Sequence, residues 1–165
     1  TGVQTCALPI LERGQDIVTL AGQFGLPCRR WTTDQVSQGP VLILDTIGEL
    51  AACYAMADMV FVGGSLVAEG GHNPIEPAAV HVPVLFGPHM EDFSEIAATL
   101  VQSGGACQVA STLELQEKLQ QILTDASLRR SMAEAGWQYV QSNRGVVRRH
   151  LQVINDLLSN PPVNR

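Results

Sequence analysis

Three short apolar runs, each closing in a polar turn, constrain this chain more than any other feature. Val41-Leu42-Ile43-Leu44 lies between Gly39-Pro40 and Asp45-Thr46, residues 59–62 end in Gly63-Gly64-Ser65, and residues 83–86 end in Gly87-Pro88. An apolar run without alternation has no solvent side, which is the pattern of a parallel strand buried on both faces. Weaker strands are expected at 28–31 and 106–109. Helical spacing fills the gaps. Ile17, Leu20, Ala21 and Phe24 predict a helix over 12–25, stopped by Gly25 and Pro27, and further helices are expected at 49–56, 74–80 and 93–102. The last of these has Phe93, Ile96, Ala97, Leu100 and Val101 on one face. Beyond residue 112 the chain reads as helix, with Leu115, Leu119, Ile122 and Leu123, then Leu128, Met132, Ala135 and Tyr139, then Val147, Leu151, Ile154 and Leu158 as successive apolar faces. Strands and helices alternating at this length predict an α/β domain, a parallel sheet covered on both sides.

Composition narrows the function. The 165 residues are 45% apolar and 16% charged, enough for one sizeable core and incompatible with a disordered tail. Residues 1–126 hold fourteen acids against four bases, whereas 127–165 hold two acids against six arginines. The body therefore lacks the basic footprint of a nucleic-acid binder. Arg129, Arg130, Arg144, Arg148 and Arg149 read either as solvated helix faces or as a basic stripe for a neighbouring domain or anionic lipid. Cys6, Cys28, Cys53 and Cys107 have neither metal-type nor paired spacing, and no apolar run approaches membrane-spanning length. A soluble chain from a reducing compartment is expected.

Open parallel sheets bind ligands beyond the carboxyl ends of their strands, where the polar turns of this chain lie. The richest is the stretch 63–77, with two glycine pairs, His72, and Asn73-Pro74 as helix cap and first helical residue. A helix starting there would aim free N–H groups at an anion such as a phosphate. Glu76, one turn in, suits two sugar hydroxyls, and His72 suits a phosphate or carboxylate. Singly these are ordinary tight turns and loop residues; their concentration at one strand end argues for a binding loop. In the turn at 45–50, Gly48 brings backbone close to a base or phosphate, with Thr46 and Glu49 as polar edges. The turn at 87–93 is expected to cap the next helix through Asp92. His72, His89 and Glu76 match no metal-ligand spacing, and neither a Walker nor a dinucleotide fingerprint is present.

Four stretches, Asp45-Thr46-Ile47-Gly48-Glu49-Leu50, residues 57–66, Gly70-Gly71-His72-Asn73-Pro74-Ile75-Glu76-Pro77-Ala78-Ala79, and residues 83–90, closely resemble the lipopolysaccharide 3-deoxy-D-manno-octulosonic acid (Kdo) transferases in wording, order and spacing. The resemblance covers roughly 12–158. It implies the C-terminal, Rossmann-like donor-binding domain of a GT-B glycosyltransferase that moves Kdo from CMP-Kdo to a lipid A precursor at the cytoplasmic face of the bacterial inner membrane. It further implies that the membrane anchor, the acceptor surface and the catalytic base belong to an N-terminal domain with no counterpart here, and that no metal or cofactor is used. By position, Thr46, Ile47, Gly48 and Glu49 would lie against the nucleotide, Gly63, Gly64 and Ser65 near phosphate and sugar, and His72, Asn73 and Glu76 around phosphate and ribose. All are binding roles; none is catalytic.

The front departs from the family. Residues 1–10 match nothing of it and read as foreign or disordered, leaving 11–159 as a truncated donor domain and 160–165 as a tail. With its first two strands missing, the sheet is expected to leave the strand at 41–44 without its partner and an open edge beside 59–62, hence a poorly stable, inactive fragment. Two other readings remain, a fragment of a nucleotide-sugar 2-epimerase-like enzyme and a non-catalytic nucleotide-binding module.

Overall fold

The structure is a computed structural model that describes residues 4–6, 10–32 and 40–159. Among the described residues six short strands, β1 (Gln4–Cys6), β2 (Cys28–Arg30), β3 (Val41–Ile43), β4 (Val60–Val62), β5 (Val84–Phe86) and β6 (Ala106–Gln108), are interspersed with helices. The helices are α1 (Ile10–Gln23), α2 (Leu50–Tyr54), α3 (Ile75–Ala78), α4 (Ser94–Gln102), α5 (Thr112–Thr124), α6 (Ala126–Ser142) and α7 (Val146–Ser159). All pairing is parallel: one sheet runs β1-β4-β5-β6, and β2 pairs with β3 in a separate two-stranded ladder.

The core sits on β5, whose three residues are all buried. Register puts Phe61, Leu85 and Cys107 side by side, so they share a face, and there they meet Met59, which precedes β4, and Ile122, Met132, Leu115, Leu119 and Leu128 from α5 and α6. Val62, Val84, Phe86 and Ala106 point to the other face, against Ala78, Ala97, Leu100 and Tyr139 of α3, α4 and α6. The two apolar sides of each buried strand thus have separate helical covers. The close approach of α6 to the turn before β6 depends on glycine, because a Cβ at Gly105 would overlap the backbone of Gly136.

Several expectations are corrected. Neither sheet edge is open as foreseen: Gln4–Cys6 supply the backbone groups that pair with β4, and β2 pairs β3. Backbone pairing needs no particular side chains, so the composition of residues 4–6 gave no signal of it. β3 is not buried on both faces; Val41 and Leu42 are half-exposed, since the β2–β3 ladder lies outside the four-stranded sheet and its helical cover. The covered face of α1 is Gly14, Ile17, Val18 and Ala21, which leaves Leu20 and Phe24 exposed at 54% and 74%. Gly14 faces the Arg30 guanidinium of β2, and this small residue turns the helix from its most apolar stripe. The expected tail at 160–165, the side chains of Arg148 and Arg149 and that of Val147 lie outside the described residues. Arg129 is no free member of a stripe: it donates to the carbonyls of Ile122 and Leu123 at the end of α5 and faces Asp58 at 3.9 Å. No helix among the described residues is long and apolar enough to cross a membrane.

Candidate functional site

Ser65 organises the turn after β4. It is fully buried; its hydroxyl donates to the Val62 carbonyl at 2.5 Å and accepts the Gly87 N–H at 2.8 Å, while its own carbonyl accepts the His89 N–H at 2.9 Å. The side chain of this residue, expected near phosphate and sugar, joins two turns, because a buried hydroxyl must find partners and the nearest are backbone groups. Gly87 is required at this seam, since a Cβ there would fall inside the Ser65 carbonyl. Further along, the Gly71 N–H donates to the Gly64 carbonyl at 3.2 Å and the Asp92 N–H to the Gly70 carbonyl at 3.2 Å. Gly64, Gly70 and Gly71 have φ of +70, +79 and +72°, which only glycine adopts cheaply, and Gly71 packs under the Met90 thioether.

The same loop ends in a polar cap. The Asn73 Oδ1 accepts the Ile75 N–H at 3.0 Å, as the sequence predicts for a capping residue before Pro74. Its Nδ2 donates to Glu76 Oε1 at 3.1 Å, holding one carboxylate oxygen and leaving Oε2 at the exposed surface. The helix that follows is shorter than expected, one turn rather than 74–80, so its dipole is a small source of positive potential. His72 is half-buried beside this cap.

The turn after β3 is built differently. Asp45 is buried and accepts three hydrogen bonds, from Thr32 Oγ1 at 2.6 Å, Arg30 Nε at 2.7 Å and Thr32 N at 3.0 Å. Desolvation raises its carboxyl pKa, yet the Thr32 hydroxyl and N–H and the Arg30 guanidinium together outweigh this and hold it below the usual carboxylate value. Beyond Asp45 the turn is unsatisfied. Among the described residues the buried Thr46 Oγ1 and Glu49 Oε2 have no hydrogen-bond partner, Ile47 is 81% exposed, and Gly48 has φ +108° with open space where a Cβ would point. α2 starts at Leu50 rather than at 49, with no side-chain cap.

The structure thus joins Gly63, Gly64, Ser65, His72, Asn73 and Glu76 into one loop system, stitched to residues 87–92. Thr46, Ile47, Gly48 and Glu49 form a second turn, linked to the first through α2 packed on α3 and, among the described residues, by no hydrogen bond. Residues 87–92 do more than cap a helix. Asp92 makes no side-chain cap; residues 91–93 form a single 3-10 turn and the Asp92 carboxylate lies against Gly70. The signal was present in the glycine after a fully buried strand, a place where backbones meet.

No protein-family model matches the chain. It is 38% identical over 132 residues to the 3-deoxy-D-manno-octulosonic acid transferase of Haemophilus influenzae, covering 79% of this chain and 31% of that protein. The transferase of the same name from Bordetella pertussis is 34% identical over 137 residues, covering 81% and 32%. The chain therefore spans about a third of the length of these curated relatives. Aligned stretches of this length within 165 residues necessarily contain the turns at 45–49, 63–76 and 87–92. Among solved structures, the C-terminal CMP-Kdo binding domain of WaaA from Acinetobacter baumannii superimposes with a TM-score of 0.73 at 24% identity, over 79% of this chain and 69% of that one. The fold is the α/β, Rossmann-like one of a GT-B C-terminal domain, and the sequence resemblance to Kdo transferases holds across most of the chain.

Proposed function

We propose that this chain is the donor-binding part of a Kdo transferase, receiving CMP-Kdo in the turns after β3, β4 and β5. The observation that carries the reading is the stitched glycine loop ending in the Asn73–Glu76 pair, within the stretch alignable to transferases of that name. In this reading the free Glu76 oxygen and its pinned neighbour accept the two ribose hydroxyls. Thr46 and Glu49 bring unpartnered polar atoms to the nucleotide beside the bare backbone of Gly48. Gly63 and Gly64 present main chain to the phosphate and sugar, with His72 beside them, and Ser65 acts by fixing the shape of that turn.

Transfer then proceeds by displacement at the anomeric carbon. A hydroxyl of the lipid A precursor forms the new C–O bond and its proton passes to a base outside this chain. The bond to the phosphate oxygen breaks with its electron pair leaving on CMP, and attack from the opposite face inverts the centre. Fixed backbone donors stabilise the charge growing on the departing phosphate. The acceptor, the membrane surface and the cytoplasmic face of the inner membrane belong to the whole protein in this proposal. Calorimetric titration of CMP into this chain tests it: micromolar binding is expected, weakened at least about tenfold by Glu76→Ala through loss of charge-assisted hydrogen bonds with an unchanged melting curve. Absence of CMP binding sinks the reading, and an undiminished affinity in Glu76→Ala sinks the ribose role.

A further inference from the structure

The three turns assigned to the donor contain six acidic residues, Asp45, Glu49, Glu69, Glu76, Glu91 and Asp92, and neither lysine nor arginine. A sugar acid joined to a nucleoside monophosphate is an anion, so something in this acidic surface must offset its charge. The side chains there able to carry a positive charge are the imidazoles of His72 and His89. His89 is the better held. Its backbone N–H is bonded to the Ser65 carbonyl, which seats it directly over the glycine turn, and its ring Nδ1 meets Glu91 Oε1 at 3.1 Å. Glu91 is kept below its ordinary carboxyl value first by its own backbone N–H and then by this histidine, so it is an anion ready to accept. Among the described residues Nε2 has no hydrogen-bond partner, and 37% of the side chain is exposed.

We infer that His89, oriented by Glu91, is a phosphate-binding residue of the donor site, donating from Nε2 to an oxygen of the nucleotide phosphate. This rests on the donor-site reading above. With a carboxylate at Nδ1 and a phosphate at Nε2, both ring nitrogens face acceptors, and only the doubly protonated imidazolium satisfies both. That charge compensates the departing phosphate, since the three turns themselves carry no guanidinium or ammonium. Glu91 is a positioning residue, acting through the ring. The pair resembles a surface ion pair in geometry, which on its own adds little stability, so its removal should leave folding intact.

Separate titrations of CMP and of cytidine into the wild-type chain, His89→Gln and Glu91→Gln test the inference. Loss of one charge-assisted bond should weaken CMP binding about tenfold in His89→Gln, and by less in Glu91→Gln, with cytidine affinity unchanged to within about twofold. Equal CMP affinity in wild type and His89→Gln overturns the assignment while leaving the donor site standing. Equal losses for CMP and cytidine overturn it as well, since a distorted loop acts on both ligands. If the wild-type chain binds neither, the donor-site reading itself falls and this inference with it.

Discussion

The turns after β4 and β5 hold each other, whereas the turn after β3 is held only at its first residue. On one side Ser65 receives two backbone N–H groups from the neighbouring turn and Gly70 a third. On the other, Asp45 anchors to Arg30 and Thr32, and the next four residues leave Thr46 Oγ1 and Glu49 Oε2 without partners. Unmade hydrogen bonds of buried groups cost about 1–3 kcal/mol each, a cost that a bound polar ligand removes. Under the donor-site reading, the site has one wall prepared in advance and one that gains its bonds from the ligand. The prepared wall sets geometry; the unsatisfied wall gives selectivity, because a ligand lacking matching groups leaves the cost in place.

Gly87→Ala tests the prepared wall and should have the largest effect. The new Cβ would fall on the Ser65 carbonyl, a backbone atom with no rotamer to escape into, so overpacking should cost about 3 kcal/mol. Denaturant unfolding is expected to show that loss, with CMP binding abolished at temperatures where the variant remains folded. A near-wild-type midpoint would mean the two turns are not locked together.

Asp45→Asn tests the anchor of the opposite wall, with an expected loss of about 2 kcal/mol from weakening a buried, charge-assisted cluster. The carboxyl pKa is lower in the folded chain than the group's ordinary value. Its contribution is therefore fully present above that value and is lost as pH falls through the lower folded one. Wild-type stability should drop across that acid window by more than Asp45→Asn stability does. Parallel curves of stability against pH would remove Asp45 as the anchor.

How far this contrast could be read from sequence depends on what kind of bond makes each wall. The strands at β4 and β5 and helices α4 to α6 follow from apolar spacing, since burial on two faces writes itself into residue type. Asn73 as cap follows from its place before Pro74. The missed features are backbone events. β1 pairs β4 through main-chain groups of Gln4–Cys6, Ser65 turns inward because Gly87 is close enough to donate, and Asp92 meets Gly70 rather than a helix end. Leu20 and Phe24 are exposed against their apolar spacing for a related reason: the packed face of α1 is chosen by Gly14 fitting Arg30, a partner sixteen residues away in sequence, not by hydrophobicity alone.

Gly48→Ala sharpens the comparison by placing the same change as Gly87→Ala on the other wall. At Gly87 the obstacle is a neighbouring atom; at Gly48 there is none within van der Waals reach, and the only opposition is the backbone conformation at φ +108°. Holding an alanine in that region costs about 1–2 kcal/mol if the turn stays put. A turn fixed only at Asp45 can relax instead, so the measured loss should be about 1 kcal/mol or less, smaller than at Gly87 or Asp45. Relaxation would move Thr46 and Glu49, so under the donor-site reading CMP affinity should fall by more than stability does. A Gly48→Ala loss as large as that of Gly87→Ala would show the β3 turn to be as rigid as its neighbours. The division between a prepared and a ligand-completed wall would then fail.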